Sequence, residues 1–246
     1  MKYRFGLPKK IVFGAAATFL LSFANAQTVS EGIVNLDSHK YAKAKEIFNQ
    51  MIAKSPTAEN YYYLGYSYLS QFEPNFELAK ENFDKGLAID SKSYLNKIGL
   101  ATIKLGKGQK ASAIAELTQV AKESKEKDAE VLYRIGEALT MFENNNDPAL
   151  AITYINKAIE KAQKYGVPAY YYYTLGDAYR LTRDPGNAMT AYDRASEVAK
   201  NKASVFYRMA TLWMAAKQYK KAEENIVKAI NIDATYAPAY KAQAQY

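Results

Sequence analysis

The chain has 246 residues, 49% hydrophobic and 24% charged, with a formal net charge of +8. That balance suits a folded protein and excludes a disordered, highly charged one. Cysteine is absent and His39 is the single histidine. Disulfides, thiolate zinc sites, a thiol nucleophile, a histidine-based triad and a multi-histidine metal site are therefore excluded.

Residues 1–26 have the pattern of an export signal. Lys2, Arg4, Lys9 and Lys10 form a basic leader, Ile11 to Phe23 is apolar, and Ala24-Asn25-Ala26 is a small-x-small cleavage site. A helix over the apolar stretch spans about 20 Å, at about 1.5 Å per residue. That is short of the roughly 30 Å hydrocarbon core, so cleavage and no membrane span are expected. Losing the four leader cations lowers the charge from +8 to +4. So modest an excess argues against nucleic acid as a partner.

The most regular pattern lies near the C-terminal end. Tyr172, Leu175, Gly176, Tyr179, Ala188, Tyr192 and Ala195 recur 34 residues later as Phe206, Met209, Ala210, Trp213, Ala222, Ile226 and Ala229. This alternation of large and small residues resembles the tetratricopeptide repeat, a helix–turn–helix unit that stacks into a solenoid. The resemblance implies an all-α fold over residues 27–246, a right-handed superhelical solenoid of antiparallel helix pairs. About six repeats and the start of a seventh are expected.

Aligned on that pattern, the first unit runs from about Gln27 to Pro56, with Gly32, Ala44 and Phe48. The second starts near Ala58, with Tyr61, Leu64, Gly65, Tyr68, Ala79 and Phe83; Glu73-Pro74-Asn75 lengthens its turn. The third, from about Tyr94, is degenerate and turns at Gly106-Lys107-Gly108. The fourth, from about Ala129, has an expanded turn, Asn144 to Pro148, in which Asp147 and Pro148 have the character of an N-cap and first helical residue. Asp184-Pro185-Gly186 turns the fifth unit, and a seventh starts at Ala237. The chain stops at Tyr246 inside what has the pattern of another first helix. This fits a longer protein better than a tail folded back as a cap.

Catalytic signals are weak. Gly106-Lys107-Gly108 lacks phosphate-loop spacing and follows no strand, and the Asn144–Asp147 run lacks EF-hand spacing. No enzyme activity, metal or cofactor is expected. Tyrosine is the outlier in composition, at 22 residues. Many occupy the large positions of the repeat, but Tyr62, Tyr133, Tyr173 and Tyr207 fall at a register that, in the resembled family, faces the concave groove. Tyr66, Glu137, Asp177, Arg180 and Met214 occupy the other inward registers. The carboxylate-clamp members of the family use Lys and Asn at inward registers; this chain has Tyr where those residues would sit, so that specificity is not carried over.

Tyrosine offers apolar area, a hydroxyl and few torsions to freeze. The resulting expectation is an exported scaffold or adaptor, periplasmic or secreted, that binds an extended peptide or protein in a tyrosine-rich groove during cell-envelope assembly or secretion. The Lys/Asn/Tyr-rich style is similar to Bacteroidota envelope repeat proteins. Two alternatives stay open: a glycan or peptidoglycan module, and a docking or spacer region for a domain beyond residue 246.

Overall fold

The computed structural model describes residues 29–244; the export signal expected over residues 1–26 lies outside the described residues. Those residues form thirteen α-helices and, among themselves, no strand. The helices are α1 (29–37), α2 (Tyr41–Lys54), α3 (Ala58–Leu69), α4 (Phe76–Ile89), α5 (Tyr94–Gly106), α6 (Lys110–Glu123) and α7 (Ala129–Met141). After a short 3₁₀ turn come α8 (Pro148–Ala162), α9 (Ala169–Leu181), α10 (Pro185–Val198), α11 (Ala203–Ala215), α12 (Tyr219–Ile232) and α13 (Ala237–Gln243). From α3 on, each odd-numbered helix packs on the even one that follows it, and α1 meets α2 where Gly32 lies against the Phe48 ring, giving six pairs and a final single helix among the described residues. The expected all-α solenoid of helix pairs is the observed fold.

The small positions of the repeat are points of close helix approach. A Cβ on Gly176 would lie 2.3 Å from the Tyr192 ring, and one on Gly65 would lie 2.5 Å from the Phe83 ring. In the sixth pair Ala210 takes this position and is fully buried. The large residues of the second helices, Phe48, Phe83, Ile155, Tyr192 and Ile226, are buried against these points. Such interdigitation leaves little void and so fixes the helix spacing.

The turns explain the uneven unit lengths. Four pairs reverse through one left-handed residue: His39 (φ 58), Gly108 (φ 80), Arg183 (φ 60) and Lys217 (φ 58). The next backbone N–H then donates to a carbonyl five residues back, as from Lys40 to Asn35 and Asp184 to Tyr179. This satisfies a helix-end carbonyl in the manner of a Schellman cap. The second and fourth pairs use longer turns, and their second helices start on side-chain caps: Asn75 accepts from Leu78 N and Asp147 from Leu150 N. Gly186, expected in the fifth turn, instead lies in the first turn of α10, because Asp184 caps that helix and Pro185 opens it. The degenerate third unit is a complete helix pair with Ala101 and Leu117 fully buried.

Consecutive first helices α3, α5, α7, α9 and α11 touch one another and form the inner layer. Among the described residues no helix is long and apolar enough to cross a membrane.

Candidate functional site: the hollow of the solenoid

The inner layer converges on two arginines. Arg134, on α7, is 1% exposed. Its Nε donates to Glu130 Oε1 at 2.7 Å and its Nη1 to Glu137 Oε2 at 2.7 Å, partners one helical turn away on either side. The rings of Tyr62, Tyr63, Tyr66, Tyr133 and Tyr170 surround the guanidinium at 5.0–5.8 Å from their centroids. Their hydroxyls satisfy the carboxylates. Tyr63, Tyr170 and Tyr171 donate to Glu130, and Tyr66 and Tyr133 to Glu137 at 2.8 and 2.7 Å. Tyr133 and Tyr171 stack with centroids 4.2 Å apart. The cluster thereby ties α3 to α7 and α9 across the hollow.

Burial alone would lower the pKa of Arg134, but Glu137 and Glu130 outweigh it and hold the group above its ordinary value. Burial, then Glu137, raises the Tyr66 and Tyr133 hydroxyls. These hydroxyls therefore stay protonated and act as donors.

Arg208, on α11, is the second centre. It donates from Nη2 to Asp37 Oδ1 at 2.7 Å, from Nε to Asp177 Oδ2 at 2.9 Å, and from Nη1 to the Ser204 carbonyl. Its guanidinium lies 4.1 Å from the centroid of Tyr173. Asp37 ends α1, so this contact joins residues 171 apart. Two more contacts close the same seam: Lys40 Nζ donates to Thr235 Oγ1 at 2.6 Å, and Lys241 lies over the Phe72 ring at 5.1 Å. The first and last turns of the solenoid therefore meet.

Between the two arginine centres is a cavity of about 440 Å³, within the usual size of ligand sites. Tyr66, Glu137, Tyr173, Asp177 and Arg180 line it, so the structure brings together five of the residues expected to face the groove. The other four are placed differently. Tyr62 and Tyr133 are 2% and 1% exposed, being consumed by the Arg134 cluster. Tyr207 sits edge-on to Tyr236, and Met214 packs with it in the core formed by α11, α12 and the segment reaching α13. These four lie on the inner layer as the register implies, but their own neighbours cover Tyr62 and Tyr133 fully and Tyr207 and Met214 in part. In place of the continuous groove expected from the sequence, the inner layer shows a half-open cavity.

Asp37, His39 and Arg208 also line the cavity, and Arg134 lies behind Glu137 in its wall. Sequence reasoning passed over them as site residues. The spacing of Glu130, Arg134 and Glu137 was a legible signal for an ion-paired helix face; nothing local marked Asp37 or Arg208. His39 occupies the first turn, as expected. Burial lowers its pKa, Arg208 and Lys241 add to this, and Asp37 opposes it.

Among known proteins, residues 169–202 match the family model described as the tetratricopeptide repeat. No curated protein matches the sequence significantly. Yeast Tom70 is similar in structure with TM-score 0.54 and 17% identity, over 82% of this chain and 43% of that one. YrrB, described as a TPR protein with an unusual peptide-binding site, matches with TM-score 0.48 and 21% identity over 80% of this chain and 97% of its own. Pseudomonas aeruginosa PilF matches with TM-score 0.46 and 16% identity over 92% and 99%. The α9–α10 pair is thus similar in sequence to the tetratricopeptide repeat, and the described residues fold as a solenoid of helix pairs.

Proposed function

We propose that the protein is a non-enzymatic, exported interaction scaffold that holds a peptide segment of a protein partner in its central cavity. The observation that carries this reading is the cavity itself, whose walls come from α1, α3, α7, α9 and α11 and so exist only when the solenoid is assembled. Binding there reads out the whole fold rather than one repeat. The basic leader, apolar stretch and Ala24-Asn25-Ala26 support export to the periplasm or beyond, and a role in envelope assembly or secretion follows from that location. A glycan finds less support, because Tyr62 and Tyr133 have no free face and Tyr173 already lies against Arg208.

Site-specific photocrosslinking in intact cells tests the reading. A benzophenone side chain at Glu143, on the rim of the cavity, should capture a discrete protein adduct. The same group at Lys85, exposed on α4, should not. Identical adducts at both positions, or none at Glu143, would contradict it.

A further inference from the structure

We propose that the cavity receives the basic side chain, lysine or arginine, of a bound peptide. The proposal rests on the interaction reading above and names the chemistry of what enters.

The two buried arginines show how this interior accommodates a cation. Each sits between two carboxylates and against tyrosine rings: Arg134 between Glu130 and Glu137, Arg208 between Asp37 and Asp177. Each triad therefore keeps one net negative charge. An uncompensated charge with little access to water is costly, and these carboxylate side chains keep only 13–26% of their exposure, so a cation brought beside them offsets part of that cost. Both triads border the cavity, the first through Glu137 and the second through Asp37 and Asp177.

Acceptor capacity remains. Among the described residues Asp37 accepts one hydrogen bond, Asp177 two and Glu137 three, against about four lone-pair positions on a carboxylate. Glu143 adds a fourth carboxylate at the rim and makes no hydrogen bond or ion pair among the described residues. Of the two arginines in the lining, Arg208 is already held by two carboxylates, and Arg180 is exposed, so solvent and salt screen it. His39 faces the same space with its pKa lowered, so it adds little positive charge at neutral pH.

The remaining wall suits a long basic side chain. Tyr66 and Tyr173 also line it, but their rings already lie against Arg134 and Arg208 at 5.0 and 4.1 Å, so the carboxylates carry the recognition. Ile33, Leu36, Met141 and Leu181 supply apolar surface for a methylene stem. A carboxylate-bearing occupant would meet four lining carboxylates, with exposed Arg180 and an Arg208 already held by two of them in its favour.

The test uses the purified protein and acetylated, amidated Gly-Gly-X-Gly-Gly peptides, with X as Arg, its neutral isostere citrulline, or Glu, measured by calorimetry or NMR titration. The Arg peptide should bind about tenfold more tightly than the citrulline peptide, equivalent to about 1.4 kcal/mol, and the Glu peptide most weakly. Arg180→Glu removes the opposing charge at an exposed position and should tighten the Arg peptide severalfold. Glu143→Gln should loosen it. Circular dichroism would verify that both variants fold. Equal affinity for all three peptides would overturn the charge assignment while leaving a peptide site in place. Tightest binding of the Glu peptide, or a weakened Arg peptide in Arg180→Glu, would make the cavity an anion site. No binding by any peptide, with adducts still forming at Glu143, would overturn a basic side chain as what the cavity receives while the scaffold reading survives.

Discussion

Arg134 is the residue on which the inner layer is organised. Its guanidinium is held by two carboxylates on its own helix, which in turn accept hydroxyls from α3, α7 and α9. Replacing it with alanine would leave Glu130 and Glu137 facing each other without a counter-ion. Arg134→Ala should therefore cost about 3–5 kcal/mol, the penalty for breaking a buried pair from one side, measured by urea unfolding. A loss of only a few tenths would show that the cluster is surface decoration. At this scale the sequence was half legible. Glu130, Arg134 and Glu137 are one helical turn apart and could be read as mutual partners. Tyr63 and Tyr66 are separated from their acceptors by 67 and 71 residues, and no local pattern announces such a meeting.

Helices were the most legible level. The starts expected at Ala58, Tyr94 and Ala129 are the starts observed, because the repeat pattern fixes which residues face the neighbouring helix, and caps such as Thr57, Ser93 and Asp128 stand just before them. Asp147 shows how a cap substitutes for a short turn. Its carboxylate accepts from Leu150 N while its own N–H donates to the Leu139 carbonyl, joining the end of α7 to the start of α8. Asp147→Ala should cost about 1 kcal/mol and raise hydrogen exchange in the first turn of α8 above that of the rest of the helix. Unchanged exchange there would rule out the cap. The misplacement of Gly186 has the same origin: an Asp-Pro-Gly run signals a turn, but with Asp184 capping and Pro185 at the first helical position, the glycine is carried into α10.

For the molecule as a whole, the curvature of the stack was not legible. The repeat motif encodes how one helix sits against the next, while curvature accumulates from small differences at every pair. Only their sum decides whether the hollow is an open groove or closes on itself. Here it closes, and tyrosines expected to greet a partner become core. A pH prediction follows. Burial raises the hydroxyl pKa of Tyr62, Tyr63, Tyr133 and Tyr171 above the ordinary value of 10.0, with Glu130 or Glu137 adding to the effect. The folded state thus holds protons that the unfolded chain releases. This contribution to stability is complete below pH 10 and is lost as pH climbs above it. Absorbance at 295 nm should show these buried tyrosines ionising together with loss of helical circular dichroism. A single gradual titration with helicity intact would contradict the buried cluster.

Closure of the solenoid rests most directly on Asp37 and Arg208, which meet across 171 residues at 2.7 Å with both side chains largely buried. A double-mutant cycle of Asp37→Asn and Arg208→Gln, followed by urea unfolding, measures that contact alone. A coupling of about 1 kcal/mol or more is predicted, as found for paired groups in one network. Additive effects, with coupling near zero, would mean that the two ends stand apart in solution and that the cavity is open.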